Sequence, residues 1–263
     1  MKKQVLIRVL TTVVSISIFV CVITTVLFRN YVSKTNNFVK FEGKGKQTIY
    51  ILGTFHNSHF DKKYRYSLAD IRNCITNLKP DVVYLESREE TYQKYGCMDG
   101  PIDTLFAYSL CKEQNIPVRC IDYWKMDNNF DKNQGTTNSQ RDDKMYENIT
   151  TNLVKDKDKK ILIVCGASHR TEQMNRLSND HYKEILSFNK SEIFQGSKTF
   201  TYPKTMEQTI KDKITYLKED QTKIIAKQIT DPDVAKFAKK NNEELVDSLQ
   251  STLDQYVLKE RLY

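Results

Sequence analysis

Two short apolar runs constrain this chain more than anything else in it. Ile49-Tyr50-Ile51-Leu52 leads into Gly53-Thr54-Phe55-His56, and Ile161-Leu162-Ile163-Val164-Cys165 leads into Gly166-Ala167-Ser168-His169. Runs of this length, rich in β-branched residues and lacking polar alternation, read as strands buried on both faces, as in parallel sheets. Each run delivers a His three residues beyond a Gly. The two histidines are therefore expected to meet at one edge of one sheet.

The segments between and around these runs alternate. Ser67-Leu68-Ala69-Asp70 has the form of a capping box, Leu68, Ile71, Ile75 and Leu78 recur at helical spacing, and Pro80 stops the helix. A strand is expected over 81–86, a loop over 91–100, a helix from Pro101 to about Glu113, and a strand over 116–123. The Asn-rich stretch 124–137 reads as a loop or flap, and a helix over 139–154 precedes the strand at 160–165. This order predicts parallel βαβ units: an α/β fold with a mainly parallel central sheet flanked by helices. Beyond it, 172–188 reads as helical and 191–202 as a short strand pair. Two amphipathic helices, 205–229 and 231–259, are expected to pack on the sheet, cover the site or mediate a homodimer. The expected organisation is a membrane anchor over 1–30, a linker over 31–46, the α/β core over 47–204 and a helical region over 205–263.

Residues 9–28 carry no charge, and twenty residues in a helix span roughly 30 Å, the thickness of a bilayer core. Lys2, Lys3 and Arg8 precede the run, and Arg29, Lys34 and Lys40 follow it. A short basic N-terminus tends to stay inside, which predicts a single-pass protein with an extracytoplasmic domain. A cleaved signal peptide is the alternative, although no small-x-small site follows the run. The six cysteines include no C-x-x-C pair, so neither a zinc knuckle nor a full disulfide framework is expected. One bridge, Cys97 to Cys111, stays open. The net charge of +8 is dispersed along the chain and predicts solvated surface rather than a nucleic-acid face. No phosphate-binding loop, dinucleotide fingerprint or nucleophile elbow is present.

Ligands of open parallel sheets bind beyond the carboxyl ends of the strands. Four polar residues fall at such ends: His56, Glu86, Asp122 and His169. A carboxylate ending an apolar strand is costly to bury without a partner, which singles out Glu86 over Glu89 and Glu90. Two imidazoles and a carboxylate make a three-ligand set for a divalent metal with a position open to water. Such a metal would polarise a carbonyl and acidify its bound water. Asp122 and His59 are second candidates around that set, and His181 reads as surface. The bland alternative is that the glycines are turn glycines and the histidines loop residues.

Taken in order, Gly53-Thr54-Phe55-His56, Pro80-Asp81-Val82-Val83-Tyr84-Leu85-Glu86, Arg141-Asp142-Asp143-Lys144-Met145 and Gly166-Ala167-Ser168-His169 resemble the Tiki/TraB/GumN superfamily over roughly residues 47–170. That resemblance implies a core related to erythromycin esterase-like and haem-uptake proteins. It implies metal-dependent peptidase activity supported by manganese or cobalt, with zinc as a further option. His56, Glu86, Arg141 and His169 fall on its functional positions. Arg170-Thr171-Glu172 departs from the family's continuation, and residues 205–263 match none of its motifs. The expected function is a membrane-anchored metal-dependent hydrolase acting on extracytoplasmic peptides or small molecules. The metal ligands would be His56, Glu86 and His169, with Glu86 and Arg141 catalytic. The alternative is a non-catalytic binder of a peptide signal or of haem, with Tyr50, Tyr84, Tyr123 or a histidine as axial ligand.

Overall fold

The structure is a computed structural model and describes residues 2–130, 139–200, 202–256 and 261–262. Its centre is one mixed sheet of six strands: β1 (Phe38–Glu42), β2 (Thr48–Thr54), β3 (Val82–Arg88), β4 (Val118–Asp122), β5 (Lys160–Gly166) and β6 (Lys183–Glu184). They lie in the order β4-β3-β5-β2-β1-β6. The four strands from β4 to β2 run parallel, and β1 is antiparallel to both of its neighbours. The expected mainly parallel α/β sheet is present.

Strand alternation divides the core into two layers. Tyr50, Leu52, Val83, Leu85, Leu162 and Val164 face one side, against helices α2 (Leu68–Leu78) and α4 (Ile102–Glu113). Ile49, Ile51, Val82, Tyr84, Ile161 and Ile163 face the other, against Met145, Ile149 and Leu153 of α5 (Ser139–Lys155) and Leu177 of α6 (Ala167–Asn179). The expected helix at 172–188 thus begins earlier and stops at Asn179, and β6 follows it. The loop expected over 91–100 begins as the helix α3 (Glu89–Tyr95). Its Tyr92 and Tyr95 lie against the rings of Tyr108 and Tyr216, which supplies the apolar stripe its own sequence lacks. From residue 131 onward, the Asn-rich stretch expected at 124–137 lies outside the described residues.

The stretch 31–46 is not a linker. Within it β1 pairs along β2, with Phe38 and Phe41 fully buried. Its Lys40 and Glu42 disguise the strand, and Lys40 lies over the Tyr50 ring. The N-terminal helix α1 (Lys2–Tyr31) contains one stretch, Thr12–Tyr31, long and apolar enough to cross a membrane. It is tied directly to the sheet. Asn37 Nδ2 donates to the Tyr31 carbonyl at 2.7 Å, and the Gly53 N–H donates to the Asn37 carbonyl at 2.7 Å.

The C-terminal region forms helix α8 (Met206–Tyr216), a π-helical turn (Leu217–Gln221), α9 (Thr222–Gln228) and α10 (Pro232–Tyr256). A four-residue helix, α7 (Lys190–Ile193), precedes them. Among the described residues of 191–202 no strand pair forms. Instead β7 (Thr199–Phe200) pairs with β8 (Arg261–Leu262). All six cysteines are free thiols, so Cys97 and Cys111 form no bridge.

Candidate active site

Parallel pairing carries the ends of β2, β3, β4 and β5 to one edge, and the strand order decides who meets whom. Because β5 lies between β2 and β3, Gly166 sits between His56 and Glu86. A methyl group on Gly166 would lie 3.2 Å from His56 Nε2 and 3.5 Å from Glu86 Oε2. The Gly166 N–H donates to Glu86 Oε2 at 2.6 Å. On the other side, His169 Nε2 lies 3.6 Å from Glu86 Oε1. The structure therefore places His169 against Glu86, and His56 across Gly166 from it, at one edge of the sheet.

Each imidazole is pinned from behind by a carboxylate. His56 follows β2 in the left-handed region at φ 51°, a conformation rare for residues other than Gly and concentrated at functional sites. Its backbone N–H donates to Asp103 Oδ2 at 3.1 Å, and its Nδ1 lies 3.2 Å from the same oxygen. His169, in the first turn of α6, has Nδ1 2.7 Å from Asp142 Oδ1. Gln173 Nε2 holds Asp142 in place through its carbonyl and carboxylate, at 3.1 and 3.3 Å. A proton on Nδ1 bound to a carboxylate leaves Nε2 as the outward-facing nitrogen, the arrangement of carboxylate–histidine pairs around metals. Nε2 of His169 borders Glu86, and Nε2 of His56 borders Gly166.

Arg141 and Asp122 complete the floor. Arg141 spans Asp122 with Nε and Nη2, each at 2.8 Å, and Nη2 also reaches Glu86 Oε1 at 3.1 Å. Arg141 thus pairs with both acids at once, the geometry a planar fork favours. Burial pulls its pKa down, but the charges of Asp122 and Glu86 outweigh that and raise it. Burial likewise lowers the His56 pKa, yet Asp103 (by charge and hydrogen bond) and Glu86 carry it up to about 9. Burial raises the Asp103 pKa, and the opposing pull of His56 and His59 leaves that carboxyl held well below the usual range. Asp103 thus biases the His56 ring toward its protonated form, and 44% of the side chain is still exposed.

His59 does not stand in for His56. It is buried, its Nε2 accepts the Phe55 N–H at 2.9 Å, and its Nδ1 donates to the Tyr66 carbonyl at 2.9 Å. Burial lowers its pKa, which keeps it a neutral brace for the loop. His181 is an exposed turn residue. Of the tyrosines considered as haem ligands, Tyr50 and Tyr84 belong to the core, and the Tyr84 hydroxyl donates to Asp156 at 3.0 Å.

A pocket of about 190 Å³ opens over this edge, lined by His56, Glu86, Asp122 and Arg141 from the sheet side. Trp124, stacked on the Arg88 guanidinium at 3.4 Å, also lines it, as do Lys213, Leu217, Gln221 and Leu245 from the C-terminal helices. Gly100 lets the Asp99–Pro101 loop reach the wall, since a side chain there would collide with the Glu86 carbonyl oxygen. Sequence reasoning missed Asp103, Asp142, Gln173 and Lys213. Asp103 had one readable signal, a carboxylate set among Ile102, Leu105 and Phe106 in the first turns of its helix.

Imidazole and carboxylate are residue types that ligate divalent metals, but among the described residues no group of three His, Cys, Asp or Glu side chains is spaced to hold a metal ion. Comparison with family models, with curated proteins and with solved structures finds no match for the chain.

Proposed function

We propose that this chain is a hydrolase of peptides, tethered by α1 with its α/β domain on the extracytoplasmic side, and of the Tiki/TraB/GumN kind. One observation carries this reading: two carboxylate-pinned histidines lie beside one buried glutamate, His169 at 3.6 Å and His56 across Gly166, in a pocket at the carboxyl edge of a parallel sheet. Glu86 acts as the general base on water, using lone pairs that the Gly166 N–H and Arg141 leave free. The His56 imidazolium protonates the leaving amine, the role its proton affinity suits at neutral pH. Arg141, fixed by Asp122, stabilises negative charge developing on the carbonyl oxygen. His169, held by Asp142 and Gln173, orients the far side of Glu86. In a metal-loaded state, with His56 deprotonated and Glu86 acting as ligand instead of base, His56, Glu86 and His169 would hold a divalent ion that would supply Lewis-acid polarisation of the carbonyl.

The test is peptide cleavage by the purified full chain in detergent micelles, read by mass spectrometry on a mixed peptide pool, with manganese, with cobalt and with chelator. Wild type is expected to cut, and Glu86→Gln and His56→Ala are each expected to lower turnover by about a hundredfold or more. No cleavage under any of the three conditions, or equal cleavage by Glu86→Gln, would sink the hydrolase reading.

A further inference from the structure

Lys213 lines the pocket, and the proposed reaction leaves its chemistry unused. It lies on α8 and is 5% exposed. Its Nζ donates to the Gly100 carbonyl at 2.6 Å. An ammonium carries three donors, and among the described residues no carboxylate stands within ion-pair distance of this one. The neighbouring acids are committed elsewhere. Asp99 takes the Ser87 hydroxyl at 2.7 Å, the Arg88 N–H at 2.9 Å and Arg88 Nε at 2.5 Å, and Asp103 takes His56. Burial lowers the Lys213 pKa despite Asp99, Cys97 and Asp103 nearby. A buried ammonium served by a single carbonyl is costly to keep unless an anion completes its shell.

The wall around it is rigid. Gln221 Nε2 donates to Asn242 Oδ1 at 2.9 Å, and Asn242 Nδ2 donates to the Leu217 carbonyl at 2.8 Å. This locks the π-helical turn, a distortion that recurs at functional sites, against α10. We propose that Lys213 receives the carboxylate of the molecule bound in this pocket, and that this molecule is the carboxyl-terminal end of a peptide.

Two features select that class. The cavity of about 190 Å³ is smaller than the roughly 300 Å³ at which small-molecule sites begin, a size that suits the terminal residue of a chain. Its walls also carry Glu86 and Asp122, which repel a phosphate dianion more strongly than a carboxylate. The assignment rests on the hydrolase reading for the bond that is cut, but not for the binding step.

Trp124 is the chain's single tryptophan and lines the pocket, so its emission reports occupancy directly. The full chain in detergent micelles is titrated with a pool of acetylated tripeptides, as free acids and as amides, and with inorganic phosphate. Wild type is expected to give a saturable shift with the acids at concentrations at least about tenfold below those the amides need, a gap of roughly 1.4 kcal/mol. Lys213→Gln keeps a donor for the Gly100 carbonyl and removes the charge. It is expected to melt near wild type and to lose the preference for acids, and Lys213→Met provides a second, uncharged check. Equal binding of acids and amides overturns the assignment. So does binding of phosphate alone, a Lys213→Gln chain that still prefers acids, or no saturable shift with any probe. Acid-selective binding without cleavage supports Lys213 as the anchor and overturns the hydrolase reading instead.

Discussion

Gly166 and Glu86 stand on neighbouring parallel strands and share a hydrogen bond of 2.6 Å, from the backbone N–H of one to Oε2 of the other. The glycine gives the carboxylate a backbone donor and leaves space for the His56 ring. Gly166→Ala keeps the donor and fills the space, with its methyl 3.2 Å from His56 Nε2. Displacing a reacting group by a fraction of an ångström is expected to lower turnover by roughly tenfold to a hundredfold. The melting temperature should move little. Steady-state kinetics and a thermal melt on the same preparation check both halves, and an unchanged rate would mean His56 does not act from where it sits.

The charge on His56 depends on Asp103. In Asp103→Asn the ring loses its main stabilising charge, and its pKa is expected to fall from about 9 toward the ordinary 6.5. The folded-state value is raised, so the pair's stabilisation is fully present below pH 6.5 and is lost as pH rises through about 9. Solvent at the open edge of the ring screens the pair, so activity reports it better than stability. Imidazole resonances followed from pH 5 to 10 should show the wild-type midpoint near 9 and the variant's well below it; coincident midpoints would remove Asp103 from this role.

Arg141 neutralises two buried acids at once. Removing it in Arg141→Gln leaves Glu86 and Asp122 facing each other without a cation, which is expected to cost about 3 kcal/mol of stability. Arg141→Lys should recover only part of that, because a point charge cannot span both carboxylates as the fork does. Chemical denaturation of the three chains ranks them, and a Lys variant equal to wild type would show that charge alone suffices.

Metal binding has a separate test. Calorimetric titration of the full chain with manganese or cobalt is expected to give uptake that His56→Ala and His169→Ala each abolish and Asp142→Asn weakens by roughly tenfold. Uptake unaffected by both histidine variants would place any bound ion elsewhere.

The sheet was readable wherever burial on both faces left an uninterrupted apolar run, as in β2, β3 and β5. It was hidden at β1, where Lys40 and Glu42 alternate with buried neighbours. The pairing of His56 with His169 followed from two like motifs, but not the strand order that lays β5 between them and brings in Glu86. Asp142 looks in sequence like an ordinary first-turn acid, favourable at any helix start, and its role appears only when tertiary packing points it at a ring. Lys213 is one of many lysines in a basic helical stretch, and nothing local separates it from Lys211 or Lys218.

The short tie from Tyr31 through Asn37 to Gly53 has a further consequence. Gly53 precedes His56 by three residues, at most about 10 Å of chain. With α1 in a bilayer, the pocket has no slack by which to swing outward and search the surrounding volume. It would survey a thin layer beside the lipid surface, moving in two dimensions with its anchor, and chain ends would have to be delivered into that layer.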